Sequence, residues 1–138
     1  MEEKLQRTGN DRTCPVAVIV RNGKILLGLR HYQFTDRDTI SVWTCPGGRC
    51  EKGESIGATL CRELEEEIGV RNFEIVDFVG EVSGAHEGDT VPMFLCSTSD
   101  QVTLKEPDSF SEWRWFDKEN FPKNFINEDM RKIILEIL

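Results

Sequence analysis

A glycine-rich loop that leads directly into an amphipathic helix, over residues 48–70, constrains the fold of this chain more than any other feature. Within it the hydrophobic residues follow a helical period of about 3.6, which places Leu60, Leu64 and Ile68 on one face. Gly69 is suited to end the helix, because glycine readily adopts the left-handed conformation of a C-terminal cap. A helix with one apolar face must bury that face, so the chain needs a second layer that packs against it.

Three carboxylates share one side of this predicted helix. With Glu63 set at 0°, Glu67 lies at about 40° and Glu66 at about 300°, so the three border the buried face. Glu65 points away from them, towards solvent. Like charges at this spacing repel each other and need counter-charge, which Arg62 supplies in part and a divalent cation such as Mg²⁺ would complete. The alternative for a glutamate-rich helix taken alone is a solvated charged face.

Short hairpin-like strands surround the helix in the sequence. Asn22-Gly23 is typical of a tight hairpin turn, because both residues tolerate positive φ. Strands are predicted at residues 15–20, 24–30, 73–82, 91–97 and 112–117, helices at 55–68 and 128–138, and loops at 31–41 and 43–52. This order, in which hairpins dominate but helices interleave, predicts an α/β fold with helices packed on a mixed sheet.

The acidic composition limits the partners of the chain. With 17 basic and 25 acidic residues, the formal net charge is −8 at pH 7, which repels phosphate backbones and argues against binding to duplex nucleic acid. No apolar run approaches the ~20 residues that span a bilayer, so we expect no membrane partner. An anionic substrate would need bridging cations or a local basic patch.

Length and cysteine content predict one domain in a reducing compartment. At ~150 residues per domain, 138 residues suit a single domain over residues 13–138 that follows a polar arm over residues 1–12. The chain has five cysteines, an odd number, without a Cys-x-x-Cys pair, and no apolar leader precedes its first charged residues. We therefore expect free thiols and a cytoplasmic protein.

The loop and helix follow the spacing Gly-x5-Glu-x7-Arg-Glu-aliphatic-x-Glu-Glu-x-Gly-aliphatic, which resembles the signature of the Nudix (MutT-like) hydrolases. The nine specified positions are Gly48, Glu54, Arg62, Glu63, Leu64, Glu66, Glu67, Gly69 and Val70. The approach to the signature, Trp43-x-x-Pro-Gly-Gly, also resembles the family. A later stretch, from Lys105-Glu-Pro-Asp to Glu112-Trp-Arg-Trp, is similar to its nucleotide-hydrolysing members. The resemblance covers residues 13–122.

The resemblance implies a fold and a reaction. The fold would be the Nudix fold, an α/β/α sandwich around a mixed β-sheet. The reaction would be Mg²⁺-dependent hydrolysis of a nucleoside diphosphate linked to another group, in which water attacks phosphorus and Mn²⁺ can substitute. Bound cations would screen the phosphates from the acidic protein and stabilise charge on the leaving oxygen.

The resemblance also implies roles for individual residues. Glu63 and Glu67 would be the leading metal ligands and Glu66 the third, and any of the three is a candidate for the base that takes a proton from water. The backbone carbonyl of Gly47 would add an oxygen ligand. Two further residues, Arg62 and Glu54, would orient the carboxylates.

A further ligand is expected from a loop before the final strand, since similar hydrolases often close the metal cluster there. The candidates are Glu106, Asp108 and Glu112, and we favour Glu106 because it occupies the Glu-Pro position of the similar nucleotide hydrolases. The alternative is a surface glutamate paired with Lys105.

Two kinds of side chain are candidates for contact with substrate. Arg30 ends the second predicted strand, where similar proteins carry a basic residue that touches phosphate or base; the alternative is a surface arginine. Trp43 is the leading aromatic candidate for stacking on a base, with Tyr32 and Phe34 beside it, although isolated aromatic residues more often pack in a core.

These observations favour an enzyme that acts on a small nucleotide, most simply a nucleoside triphosphate cleaved to the monophosphate and pyrophosphate. The competing hypothesis is a non-catalytic Nudix-fold binding module, although such domains usually lose signature glutamates that this chain keeps. The sequence leaves open the base, any preference for oxidised nucleotides, the number of metals, the identity of the general base, and whether the protein is a monomer or a homodimer.

Overall fold

A computed structural model describes residues 1–33 and 35–138 of the chain. Within these residues three α-helices, six strands and one short 3₁₀ turn follow one another. In chain order they are α1 (Glu2–Gln6), β1 (Val16–Arg21), β2 (Lys24–Gln33), β3 (Thr39–Thr44), α2 (Ile56–Ile68), β4 (Glu74–Ser83), β5 (Thr90–Ser97), β6 (Phe110–Phe116), the 3₁₀ turn Lys118–Asn120 and α3 (Glu128–Ile137).

The strands form the predicted mixed sheet. Its order is β3-β2-β1-β5-β4, and β6 pairs with β2 beside this path. β1 and β5 run parallel, whereas the other pairs are antiparallel. The hairpin between β1 and β2 turns at Asn22 and Gly23, whose φ angles of 53° and 76° confirm the predicted turn.

Helices cover both faces of the sheet, which confirms the α/β/α arrangement. Because successive strand residues point to opposite faces, Val18 of β1 joins one hydrophobic cluster and Ile19 joins the other. The first cluster packs against Ile134 of α3 and the second against Leu60 and Leu64 of α2. The helix that carries the glutamates therefore rests on a rigid, fully buried layer.

Residues 31–41 and 43–52 were predicted to be loops, and that prediction is wrong in part. β2 continues to Gln33 and β3 spans Thr39–Thr44, so both predicted loops lose residues to a strand pair. The register pairs Arg30 with Val42 and Tyr32 with Ile40. Much of this pair is polar and exposed, so its sequence lacks the hydrophobic alternation of a half-buried strand and only the pairing of the two neighbouring strands defines it.

The N-terminal arm packs on the domain through helix α1. Leu5 contacts the second hydrophobic cluster, and the backbone after α1 binds the start of α2. Arg7 accepts a hydrogen bond from the Ile56 amide, and the Gly9 amide donates to the Glu54 carbonyl. The domain boundary at residue 13 stays a prediction. Among the described residues, no helix combines the length and the apolar character needed to cross a lipid bilayer.

Candidate active site

Helix α2 holds its carboxylates in fixed positions because both of its ends are capped. The Ser55 hydroxyl accepts a hydrogen bond from the Ala58 amide at 3.1 Å, and Gly69 closes the helix in the left-handed conformation at φ 69°. Leu64 and Ile68 are fully buried. The helix and the face that it buries are therefore as predicted.

The three glutamates on one side of α2, hereafter the carboxylate cluster (Glu63, Glu66 and Glu67), differ in burial. The side chain of Glu67 is 2% exposed, that of Glu63 is 15% exposed and that of Glu66 is 49% exposed. Glu65 points away, as predicted, and pairs with Arg71 at 3.1 Å on the surface. The cluster thus runs from the protein interior to solvent.

Burial acts directly on the charge of the two inner glutamates. It raises the pKa of Glu67 well above the usual range, and the nearby carboxylate of Glu63 raises it further, although the Gly47 amide opposes the shift by donating to Glu67 at 2.8 Å. Burial also raises the pKa of Glu63, against the effect of Arg62. The protein groups alone therefore compensate only part of the negative charge of the cluster.

Arg62 ties the signature together with its planar fork of donors. Its Nε and Nη2 atoms bind the two carboxylate oxygens of Glu54 at 2.8 and 3.0 Å. Its Nη1 atom binds Glu63 at 2.8 Å and Glu66 at 3.2 Å. The hydrogen bonds from Arg62 lower the pKa of Glu54 to about 2, so this pair stays ionised.

The Pro-Gly-Gly loop approaches the cluster closely at both of its glycines, and at the first of them only glycine fits. Gly47 has a φ of 154°, and a Cβ atom there would lie 2.3 Å from the Pro15 carbonyl oxygen. A Cβ atom on Gly48 would lie 2.5 Å from a carboxylate oxygen of Glu63. Backbone groups of the loop thus lie directly against the two inner glutamates.

The chemistry of these side chains fits a hard divalent cation. They offer oxygen donors, which Mg²⁺ and Mn²⁺ prefer, and burial raises the pKa of Glu63 and Glu67, so a bound cation would favour their ionised forms. Among the described residues, no three acidic, histidine or cysteine side chains converge as closely as metal ligands. Arg62 instead draws Glu63 and Glu66 towards itself, and the Gly47 amide holds Glu67.

The loop before β6 brings Glu106 near the carboxylate cluster. The Lys105 amide donates to the backbone carbonyl of Glu67 at 3.3 Å, which attaches the loop to α2. The charge of Glu106 raises the pKa of both Glu63 and Glu67. Of the two other candidates, Asp108 is exposed and Glu112 binds Arg114 at 2.6 Å.

A cleft of about 740 Å³ lies beside the cluster, since Gly47 and Gly48, which contact Glu67 and Glu63, form part of its wall. Arg30 enters it between two aromatic rings, with its guanidinium 4.8 Å from the centre of Tyr32 and 5.4 Å from that of Phe110. Its Nη1 atom lies 4.0 Å from Glu67, while its Nε atom finds no hydrogen-bond partner among the described residues. Arg30 therefore places a positive charge on the cleft wall, close to Glu67.

Trp43 does not line this cleft, which corrects the expectation that it stacks on a base. Val42 and Thr44 line the cleft, whereas the alternation of the strand turns Trp43 into the first hydrophobic cluster. It is 7% exposed and packs edge-on against Phe116 with ring centres 4.8 Å apart. Tyr32 lines the cleft in its place. The third aromatic candidate, Phe34, lies outside the described residues.

Arg49 and Asp89 also line the cleft, and the sequence alone did not identify them. Arg49 occupies a free position of the signature, and Asp89 lies at the end of a turn between β4 and β5. Two hydrogen bonds of 3.0 and 2.8 Å join them, and they lower the pKa of Asp89. No local signal links the two residues, because the contact spans 40 positions of the chain.

The NUDIX domain model matches residues 11–137 of the sequence, almost all of the described domain. The chain belongs to the Nudix family. It is a hydrolase of the class that acts on phosphoanhydride bonds, and Nudix hydrolases generally use divalent metal ions.

Individual relatives agree with this assignment. An RNA pyrophosphohydrolase of Bartonella quintana is 29% identical over 91% of this chain and 88% of its own length. A CTP pyrophosphohydrolase of Escherichia coli is 39% identical over 51% of this chain and 47% of its own length. The crystal structure of a MutT Nudix hydrolase from Burkholderia pseudomallei superimposes with a TM-score of 0.72 at 25% identity and covers 92% of this chain and 98% of that one.

Proposed function

We propose that this Nudix hydrolase is a Mg²⁺-dependent pyrophosphohydrolase that cleaves a nucleoside diphosphate linked to another group. The substrate that we favour is a nucleoside triphosphate, which would yield the monophosphate and pyrophosphate. The observation that carries the proposal is the position of the carboxylate cluster beside the cleft. The cleft has a volume of about 740 Å³, which suits a ligand of nucleotide size.

The residues beside the cleft would have two roles, metal binding and orientation of the metal ligands. Glu63, Glu66 and Glu67, with the Gly47 carbonyl, would hold Mg²⁺, or Mn²⁺ in its place. A cation held there would supply charge neutralisation for the diphosphate and would activate water. Arg62 would keep the carboxylates oriented.

On the substrate side, Arg30 lines the cleft and offers a positive charge for a phosphate or a base. Tyr32 offers an aromatic surface in the cleft, although one of its faces already receives the guanidinium of Arg30. The relatives named RNA pyrophosphohydrolase and CTP pyrophosphohydrolase support a substrate with a 5′ polyphosphate. The net charge of −8 favours a small nucleotide over a long nucleic acid.

The test is hydrolysis of a panel of nucleoside triphosphates in the presence of Mg²⁺, with separate detection of pyrophosphate and phosphate. We expect pyrophosphate to be released, EDTA to stop the release, and added Mg²⁺ to restore it. Release of phosphate alone would contradict the proposed bond cleavage.

The alternative is a Nudix-fold module that binds nucleotides without cleaving them. It would bind nucleotide, for example in calorimetry, and release neither product. The intact carboxylate cluster and its Arg62 support argue against it, since a binding module does not need clustered like charges.

The cytoplasmic location is likewise a proposal, and the cysteines favour it. Each of the five is a free thiol, and burial raises the pKa of Cys45 and Cys96 to about 12. Thiols that stay protonated and unpaired suit a reducing compartment.

We expect Glu106→Gln to lower kcat about tenfold and to raise the Mg²⁺ concentration needed for half-maximal rate, because its negative charge acts on the site of Glu63 and Glu67. The measurement is the rate across a Mg²⁺ titration. Asp108→Asn is the matched control from the same loop and should stay within about twofold of the unmodified protein. Wild-type behaviour of Glu106→Gln together with a loss in Asp108→Asn would show that the wrong carboxylate was chosen.

A further inference from the structure

We infer that Asp89 is a positioning residue that acts through Arg49 on Arg62, and so on the carboxylate cluster. The inference rests on the proposed hydrolase function, in which that cluster does the work. Asp89 lies outside the signature. It belongs to the turn between β4 and β5, which is separate from α2 in the sequence, and it lines the cleft. The contact between Asp89 and Arg49 connects this turn to the signature loop.

Asp89 is built into its turn as a buried charge. The residue is 4% exposed, and a Cβ atom on Gly84 would lie 2.6 Å from its own Cβ atom. Its backbone accepts from the Gly84 amide at 3.0 Å and donates to the His86 carbonyl at 3.0 Å. A buried carboxylate requires a partner, and the bidentate fork of Arg49 provides one.

Arg49 transmits this anchor to the signature through its own backbone. Its guanidinium binds Asp89 and also donates to the Asp11 carbonyl at 2.7 Å, while its carbonyl accepts from Arg62 Nη2 at 3.0 Å. Arg62 in turn binds Glu63 and Glu66. Charge-assisted hydrogen bonds on both sides of Arg49, with the covalent length of Arg49 between them, therefore connect the turn to the cluster.

The loop around Arg49 does not depend on Asp89 for its fold. Backbone bonds hold it on both sides, from the Gly48 amide to Pro15 at 3.2 Å and from the Cys50 amide to Thr13 at 2.9 Å. What Asp89 adds is a third anchor, which acts through the Arg49 side chain beside those two backbone bonds and restrains the residue whose carbonyl binds Arg62. We therefore expect variants at position 89 to fold and to lose rate rather than structure.

The experiment is a double-mutant cycle with Asp89→Asn, Arg49→Gln and the double variant. Asparagine is nearly isosteric with aspartate, so the packing against Gly84 is kept while the charge is lost. We expect Asp89→Asn to lower kcat about tenfold with KM within about twofold, and to cost nothing further in the Arg49→Gln background. Asp100→Asn is the matched control, because Asp100 also accepts backbone amides, from Arg71 and Asn72, but does not line the cleft.

A second readout needs no activity. In the protein without substrate or metal, the Nε–H resonance of Arg62 should shift in Asp89→Asn and stay in place in Asp100→Asn. Additive losses, a rise in KM alone, or an unmoved Arg62 resonance would each overturn the inference. If the unmodified protein hydrolyses nothing, the proposed function fails, while the Arg62 resonance still decides whether the two residues are coupled.

Discussion

We expect Glu63→Gln to lower kcat by about 10²–10⁴-fold and to leave the fold intact. Glutamine keeps the shape of the side chain but removes its charge and a basic oxygen. The Glu63 carboxylate lies against Gly48 and binds Arg62 at 2.8 Å. The loss should fall on kcat, since this carboxylate would act on the reacting groups more than on substrate affinity. Steady-state rates at saturating Mg²⁺ measure it, and circular dichroism monitors the fold.

Glu65→Gln is the matched control for this prediction, because it makes the same chemical change two positions along the same helix. Glu65 is 54% exposed and pairs with Arg71, so its charge is already solvated and the rate should stay within about twofold. If both variants lost activity equally, general acidity of α2 would matter rather than the face that carries the carboxylate cluster.

The sequence predicted α2 to within one residue because its determinants are local. Ser55 caps one end, Gly69 closes the other, and the spacing of Leu60 and Leu64 sets the buried face. The relative directions of the glutamates follow from helix geometry alone, which is why Glu65 was correctly separated from the cluster. Sites carried by one regular element are the part of a protein that sequence periodicity describes best.

The parts that the sequence did not predict depend on contacts between different elements of the fold. β3 exists because it pairs with β2, and that pairing, rather than the aromatic ring, decides that Trp43 faces the core. The same strand pair places Arg30 and Tyr32 on the cleft wall. The hydrophobic periodicity of one strand carries no information on which strand pairs with it or in which register.

The Arg49–Asp89 contact illustrates the same limit at the candidate site. Arg49 stands at a position where the signature accepts any residue, and Asp89 lies in a polar, glycine-containing turn that is typical of a surface loop. Only the fold shows that the turn returns to the signature loop and buries a carboxylate there.

We expect Arg62→Lys to lower kcat by about 100-fold, the upper end of the effect of residues that orient metal ligands. The guanidinium binds Glu54 at two oxygens and also reaches Glu63, Glu66 and the Arg49 carbonyl. A lysine ammonium has three donors on one atom and cannot span these acceptors in one plane. The charge is conserved, so rate measurements across a Mg²⁺ titration test geometry rather than net charge.

Arg71→Lys separates this geometric role from a general need for arginine beside α2. Arg71 pairs with Glu65 at 3.1 Å but is 75% exposed, so lysine should replace it with little change in rate. Arg62 holds Glu54 in its ionised form, so Arg62→Lys should also lower the stability of the fold. The melting temperature should fall for Arg62→Lys but not for Arg71→Lys. Full activity of Arg62→Lys would mean that a point charge suffices at this position. The carboxylate cluster would then owe its arrangement to the Gly47 amide and the close approach of Gly48, rather than to the guanidinium fork.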